Sequence, residues 1–220
     1  MMLCNASDAI SEKSFAKCTR LFLITLILLV CCYAHGAERL KLLSPSGKIA
    51  VEFMLTEGEA RYRVLLDEIE VIKPSALGFE FKQQPALFDN LKITDHETDK
   101  VRQTWKPVWG NFSSINNHYN QLTINLQEQS ELHRKLVITL RVFDDGVGFR
   151  YLLPEQKNLN QFSITSERTE FTFTGDHTTW WIPADYDSYE HLYAKSQLSE
   201  VPAANTPMTF KSKNGVYLSL

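Results

Sequence analysis

The chain has 220 residues with a formal net charge of -3 at pH 7, and 44% of its residues are hydrophobic. This length suffices for one large all-β domain or two small ones. A slightly acidic chain carries no basic field, so its charge argues against a protein that binds nucleic acid through a positively charged surface.

The N-terminal 37 residues differ in kind from the rest. Three basic residues precede an apolar run from residue 21 to residue 33, and small residues follow at Ala34, Gly36 and Ala37. This order is typical of a secretory signal peptide, which we assign to residues 1–37. A transmembrane anchor is the first alternative, but the run is shorter than the ~20 residues that cross a bilayer. Cys31 makes a lipoprotein signal the second alternative, although Val30 before it is not small.

The cysteines add to this interpretation. All four of them, Cys4, Cys18, Cys31 and Cys32, lie within the leader. The mature chain would therefore contain no disulfide bond and no thiolate metal site. We expect a periplasmic or secreted protein that is held together by the size of its core.

After the leader, apolar residues alternate with polar ones, as in strands that bury one face. A strand is predicted from Ile49 to Leu55, a turn at Glu57 and Gly58, and a return strand from Tyr62 to Leu66. Val71 and Ile72 continue the pattern until Pro74 interrupts it. A further strand is predicted at 77–81. Residues 83–100 are polar and weakly periodic, which predicts a long connection with one short strand near 91–93.

The strongest pattern is a hairpin from Lys135 to Tyr151. Leu136, Ile138, Leu140 and Val142 fall on one side of a strand, and Val147, Phe149, Tyr151 and Leu153 continue the alternation on the return strand. Asp144, Asp145 and Gly146 reverse the chain, and we expect Gly146 to supply a positive φ. One apolar face and one polar face are typical of an antiparallel sheet.

Other strands are predicted at 122–126, within 162–173, at 179–182 and at 216–220, and no segment has a sustained helical period. The sequence therefore predicts an all-β sandwich of mostly antiparallel strands after residue 38. The last strand ends abruptly at Leu220, from which we expect the chain to be part of a longer protein.

The residues that could carry chemistry have plain structural explanations too. Asp144 and Asp145 lie in a turn, where Asp is favoured. Asn111 begins an N-x-S motif, His118 and His191 have no ligand-like spacing, and Trp180 and Trp181 point to opposite faces of a strand, so at most one lines a given site. Taken alone, Glu190 is a solvated carboxylate. No G-x-S-x-G, phosphate-binding glycine loop or H-E-x-x-H occurs, and no catalytic residue is assigned.

Seven segments occur in a specific order. They are W-K-P-V-W-G at 105–110, N-H-Y-N at 117–120, R-V-F-D-D-G-V-G-F-R-Y at 141–151, P-E-Q at 154–156, T-E-F at 169–171, W-W-I-P-A at 180–184 and Y-E-H-L-Y at 189–193. Together they resemble the N-terminal domain of glycoside hydrolase family 97, a family of α-glucosidases and α-galactosidases from bacteria that degrade polysaccharides. The resemblance covers residues 40–220.

The resemblance implies a galactose-mutarotase-like β-supersandwich over residues 38–220, which packs on a TIM-type barrel that carries the catalytic carboxylates. No part of that barrel is in this sequence. It also implies that Glu190 is a ligand of an active-site calcium ion whose site is completed by the barrel. Asn111 and Gln121 depart from the family pattern, in which Glu is common at both positions, but neither position is implied to bind the ion.

Two functions therefore follow from the sequence. The first is the N-terminal domain of an exported, calcium-dependent α-glycoside hydrolase that acts on oligosaccharides, with this domain forming one wall of the active site. The alternative is a free-standing carbohydrate-binding β-sandwich without catalysis. The two differ in whether the reading frame continues past Leu220 into a barrel.

Overall fold

The computed structural model describes residues 38–220, so the leader assigned to residues 1–37 lies outside the described residues. The described part consists of fourteen strands and two single-turn 3-10 helices at Lys157–Leu159 and Leu198–Glu200. The strands are β1 Glu38–Leu43, β2 Ile49–Thr56, β3 Glu59–Leu66, β4 Ile69–Ala76, β5 Phe79–Phe81, β6 Leu91–Trp105, β7 Ile115–Glu128, β8 Lys135–Val142, β9 Val147–Leu152, β10 Ile164–Glu167, β11 Thr178–Pro183, β12 Ala194–Gln197, β13 Ala204–Lys211 and β14 Tyr217–Ser219.

Two four-stranded sheets, with strand orders β1-β2-β3-β4 and β6-β7-β8-β9, enclose the main core. A third four-stranded sheet has the order β12-β11-β13-β14, and β5 pairs with β10 in a small fourth sheet. From β2 onward, the strand pairs within these sheets are antiparallel. The prediction of an all-β antiparallel sandwich is therefore confirmed.

The predicted central hairpin is present, and one face of its first strand, β8, lies in this core. Leu136, Ile138, Leu140 and Val142 on β8 are fully buried. Phe149 and Tyr151 on β9 are only half-buried, but they pack against the core from the adjoining strand. The alternation of apolar and polar residues thus correctly identified which face of this hairpin points inward.

The reversal at the end of the hairpin differs from the prediction in one detail. Gly146 does not adopt a positive φ. The loop is instead closed by the Phe143 N–H, which donates to the Gly146 carbonyl at 2.8 Å. The Asp144 carboxylate accepts a hydrogen bond from the Ser46 N–H at 2.7 Å and so joins this loop to the turn before β2. Hydrogen bonds from Ser46 lower the pKa of Asp144. The structural explanation for the acidic pair therefore holds for Asp144.

A tight turn of two residues connects β2 with β3, as predicted. Glu57 and Gly58 both have positive φ, a conformation that matches the twist of the flanking strands. A Cβ atom on Gly58 would lie 2.9 Å from the backbone of Asn90. Glycine is therefore required here for two reasons, its backbone conformation and the close approach of the segment that leads into β6.

The prediction of a long connection over residues 83–100 is wrong in its second half. β6 begins at Leu91 and continues to Trp105 as an edge strand paired with β7. Every residue from Thr94 to Lys100 is exposed. An edge strand that exposes both faces needs no apolar alternation, and this explains why the sequence pattern did not reveal it.

The prediction that Pro74 ends the strand that contains Val71 and Ile72 is also wrong. β4 runs from Ile69 to Ala76, and its register with β3 shifts between the pairs Val64–Ile72 and Tyr62–Ser75. Two residues, Lys73 and Pro74, thus lie opposite one residue of β3. Proline is tolerated in a sheet at such a bulge because it has no N–H to contribute to the ladder.

One ion pair is buried at the end of the main core. Arg134 is completely buried, and its guanidinium donates to both oxygens of the Glu128 carboxylate at 2.8 Å. It also donates to the carbonyls of Pro85 and Ala86 at 2.7 Å. The pair thereby ties the turn between β7 and β8 to the segment that follows β5.

Candidate functional site

The predicted site residue lies in an irregular loop, residues 184–193, which connects β11 to β12 in the third sheet. β11 ends at Pro183, and the Ala184 N–H donates to the Ala203 carbonyl at 3.0 Å. The chain then has no regular structure until Ala194 begins β12. We call this segment the 184–193 loop. It begins directly at the end of β11 and is bonded there to the segment before β13.

Glu190 is exposed in this loop. Its backbone N–H donates to the Ser188 hydroxyl at 3.3 Å. Within residues 38–220, no group of three or more His, Cys, Asp or Glu side chains is arranged to hold a metal ion. Among the described residues, Glu190 is therefore not part of a cluster of three or more such side chains that could hold an ion.

A second carboxylate, Asp185, holds the loop together. The His191 Nε2 lies 2.9 Å from Asp185 Oδ2, and the Asp187 N–H donates to Asp185 Oδ1 at 3.0 Å. These two hydrogen bonds, from His191 first and then from Asp187, lower the pKa of Asp185. The contact joins residues six positions apart and so closes the part of the loop that contains Glu190.

Most large side chains of the loop contribute nothing to a core. Tyr186 and Leu192 are almost completely exposed, and Tyr193 is more than half exposed. Tyr189 is also largely exposed, but its hydroxyl donates to the Thr206 carbonyl on β13. The loop is therefore held by polar contacts and presents apolar and aromatic surface outward.

The two adjacent tryptophans of β11 are both half-buried, and neither belongs to the core. The Trp180 ring stacks on Tyr217 of β14 with centroids 6.3 Å apart, and Lys195 Nζ lies 5.4 Å from the Trp180 ring centroid. The Trp181 Nε1–H donates to the Ser196 hydroxyl at 3.1 Å. Each indole is therefore occupied by contacts within the third sheet.

The other residues singled out from the sequence lie elsewhere. His118 is exposed on β7, and Asn111 is exposed in the turn between β6 and β7. That turn also carries Val108, which is 100% exposed, and Trp109, which is 89% exposed. The structure therefore brings only His191 close to Glu190, through its neighbouring position and its hydrogen bond to Asp185.

Sequence reasoning missed Asp185 altogether. The W-W-I-P-A-D-Y-D-S-Y-E-H segment contains two Asp residues before Glu190, and nothing in the pattern shows which of them bonds to His191. The contact depends on the path of an irregular loop, which has no periodicity to indicate it.

Comparison with known proteins agrees with this fold. Residues 42–220 match the family model of the glycosyl-hydrolase 97 N-terminal domain. The chain therefore belongs to glycoside hydrolase family 97 and comprises its N-terminal β-sandwich domain. This result confirms the family resemblance found in the sequence.

Solved structures with a similar fold include an enzyme of this family. A glycoside hydrolase family 97 enzyme from Pseudoalteromonas sp. strain K8, solved in complex with panose and also with acarbose, is 33% identical with a TM-score of 0.79. A β-arabinopyranosidase is 25% identical with a TM-score of 0.71. The aligned region is 82% of this chain in each case, but only 28% of the Pseudoalteromonas enzyme and 31% of the β-arabinopyranosidase. The chain thus spans less than a third of these relatives.

Proposed function

We propose that this chain is the N-terminal domain of a secreted, calcium-dependent α-glycoside hydrolase that acts on oligosaccharides. In this proposal the domain packs on a TIM barrel of the same polypeptide and forms one wall of the active site. The observation that carries the proposal is the family match over residues 42–220. It is supported by the greater length of the related enzymes, about three-quarters of which lies outside the aligned region.

Hydrolysis itself is assigned to the barrel. Cleavage of a glycosidic bond generally uses a pair of carboxyl groups on either side of the bond. In TIM barrels such groups lie on the loops at the C-terminal face. The contribution of this chain is therefore to shape the pocket and to provide one ligand for the ion.

Glu190 is the residue proposed to bind calcium. The ion takes six to eight oxygen ligands, and one carboxylate supplies at most two of them. An exposed Glu190 carboxylate in a loop without a complete metal cluster fits this partial role, since a second domain could add the remaining oxygens. When bound, calcium would supply charge that polarises groups around the scissile bond.

The proposed substrate class is an α-linked oligosaccharide. The Pseudoalteromonas relative was solved with panose and with acarbose, whereas another relative is a β-arabinopyranosidase. Their names do not agree on one sugar, so the proposal keeps both glucosides and galactosides, the two substrate types that the family resemblance implies.

Export is proposed from the leader. The basic residues, the apolar run and the small residues before Glu38 have the order of a cleavable signal peptide, which would deliver the mature protein to the periplasm or the medium. Within residues 38–220, no helix is long and apolar enough to cross a membrane. N-terminal sequencing of the exported protein would test this part, and a first residue near Gly36, Ala37 or Glu38 is expected.

The central experiment uses the complete gene product. Hydrolysis of nitrophenyl α-glucoside and α-galactoside is measured before and after a chelator removes calcium, and calcium binding is followed by calorimetry. Glu190→Gln should weaken calcium binding and lower turnover, because the amide removes a charge while keeping the shape. Glu131→Gln, at another exposed glutamate, should leave both unchanged.

Two results would contradict the proposal. An unchanged calcium affinity and turnover in Glu190→Gln would make Glu190 an ordinary surface carboxylate. A gene product that binds oligosaccharides, hydrolyses none and continues into no barrel would instead be a free-standing carbohydrate-binding sandwich.

A further inference from the structure

The residues on either side of Glu190 are both tied to other parts of the structure. On its N-terminal side, the Tyr189 hydroxyl donates to the Thr206 carbonyl of β13. On its C-terminal side, His191 Nε2 lies 2.9 Å from Asp185 Oδ2. Glu190 therefore lies between two residues whose side chains are each hydrogen-bonded to a residue at least six positions away in the sequence.

The two contacts differ in what they connect. The Tyr189 contact joins the loop to β13, which pairs with β11 in the third sheet. The Asp185 contact joins the end of the loop to its beginning, directly after the Ala184 N–H has bonded to the Ala203 carbonyl. One contact thus fixes the loop to the sheet, and the other fixes its closure.

These polar contacts matter because the loop lacks apolar anchors. Tyr186, Leu192 and Tyr193 extend into solvent, so little hydrophobic burial restrains the backbone around Glu190. Holding a loop in one conformation costs conformational entropy for every backbone residue that is fixed. A ligand that is ordered in advance does not have to bear that cost when it binds the ion.

We propose that Asp185, His191 and Tyr189 are positioning residues, which fix the backbone on both sides of Glu190 before a cation binds. This inference rests on the proposed role of Glu190 as a calcium ligand. None of the three residues has to touch the ion. Groups that orient a metal ligand from behind commonly affect affinity by about tenfold or more when they are changed.

The first test compares substitutions of Asp185 in the complete gene product. Asp185→Ala removes both hydrogen-bond acceptors and should weaken calcium binding by about tenfold, the lower end for such groups. Asp185→Asn can keep both contacts, because its oxygen accepts from the Asp187 N–H while its amide NH2 donates to His191 Nε2 in the tautomer that leaves this nitrogen as an acceptor. Its calcium affinity should therefore stay close to that of the unaltered protein. His191→Ala and Tyr189→Phe should each weaken binding in the same direction as Asp185→Ala.

A matched control is available in the same region. Asp176 is also an exposed carboxylate that accepts two hydrogen bonds, from the N–H and the hydroxyl of Ser199, both at 2.9 Å. Asp176→Ala removes a comparable contact that does not involve the 184–193 loop. Its calcium affinity should be unchanged.

A second readout requires no calcium. Hydrogen exchange of peptides that cover residues 185–193 in the calcium-free protein should be faster in Asp185→Ala and in Tyr189→Phe. It should be unchanged in Glu190→Gln, because that substitution leaves both contacts in place. This measurement reports the order of the loop directly and does not depend on activity.

The outcomes separate this inference from the proposed function. If Glu190→Gln weakens calcium binding but Asp185→Ala does not, Glu190 is a ligand and the positioning role is wrong. If Asp185→Asn weakens binding as much as Asp185→Ala, the charge of Asp185 acts on the ion directly, which also overturns the positioning role. If Glu190→Gln has no effect, both proposals fail. Loss with Ala, rescue with Asn and faster exchange only in the loop would support the inference.

Discussion

The β8–β9 hairpin and the 184–193 loop are held in place by different interactions. β8 contributes four fully buried aliphatic side chains to the core between two sheets. The loop exposes most of its large side chains and is restrained by individual hydrogen bonds. The difference indicates that stability resides mainly in the first region and proposed binding in the second. Substitutions in the two regions should therefore have separable effects.

The largest loss of stability is expected at the buried Arg134–Glu128 ion pair, which lies just before β8. Arg134→Met removes the partner of Glu128 and leaves a buried carboxylate together with the carbonyls of Pro85 and Ala86 without their donor. Breaking a buried pair in this way costs about 3–5 kcal/mol of unfolding free energy. Urea denaturation measures the change.

Arg61→Met is the matched control for this substitution. Arg61 forms a 2.7 Å ion pair with Glu59, but its side chain is 33% exposed. Pairs of this kind contribute about 0–1 kcal/mol. If the two substitutions cost the same, the burial of Arg134 has no energetic consequence and the comparison fails.

Within the hairpin, Leu140→Ala should lower the unfolding free energy by about 2–5 kcal/mol, because it leaves a cavity in a fully buried position. Leu192→Ala is the control, since Leu192 is 94% exposed in the 184–193 loop and its loss should cost less than about 0.5 kcal/mol. A loss below half a kilocalorie for Leu140→Ala would mean that the wrong face of the hairpin had been assigned to the core.

A smaller, pH-dependent effect follows from Glu128. Burial raises its pKa, but hydrogen bonds from Arg134 and Ser130 and the charge of Arg134 outweigh burial, so the pKa lies below its ordinary value of 4.5. A lowered pKa in the folded state stabilises the protein above the pKa of the unfolded chain, and this stabilisation is lost as the pH falls through the folded value. Stability should therefore decrease on acidification below that ordinary value.

Glu128→Gln tests this effect. The variant should be less stable than the unaltered protein near neutral pH, and the difference should shrink as the pH is lowered. Chemical denaturation across the acid range, with both proteins under the same conditions, measures it. A difference that is independent of pH would show that the Glu128 carboxylate does not contribute through its charge.

The smallest effect on stability is expected at the proposed ligand. Glu190→Gln should change the unfolding free energy of the calcium-free protein by no more than about 0.5 kcal/mol, because the side chain is exposed. Thermal denaturation with excess chelator is the measurement. A large loss of unfolding free energy would show that Glu190 stabilises the fold, and the hairpin and the 184–193 loop would then not differ in their contribution to stability.

The sequence predicted the elements whose side chains alternate between a core and solvent. β2, β3 and β8 were found because one face of each is buried and the other is not. β6 was missed beyond its first three residues because both of its faces are exposed from Thr94 to Lys100. β4 was predicted to end too early because a proline at a bulge cannot be told in advance from one that ends a strand.

The candidate site was predictable only to the level of one residue. The family resemblance identified Glu190, since its segment has a characteristic order of aromatic and charged residues. The Asp185–His191 contact depends on the path of an irregular loop, and the Tyr189–Thr206 contact depends on the pairing of β11 with β13. Neither contact leaves a periodic signal in the sequence.

The buried Glu128–Arg134 pair also restricts which substitutions this sequence can accept at positions 128 and 134. Replacing either residue alone leaves one charge buried without its partner, whereas replacing both by apolar residues of similar volume can be neutral or even stabilising. Single changes at these positions would therefore be removed by selection, while double changes could persist. Among related sequences, positions 128 and 134 are expected to covary as a unit, either both charged and opposite or both apolar.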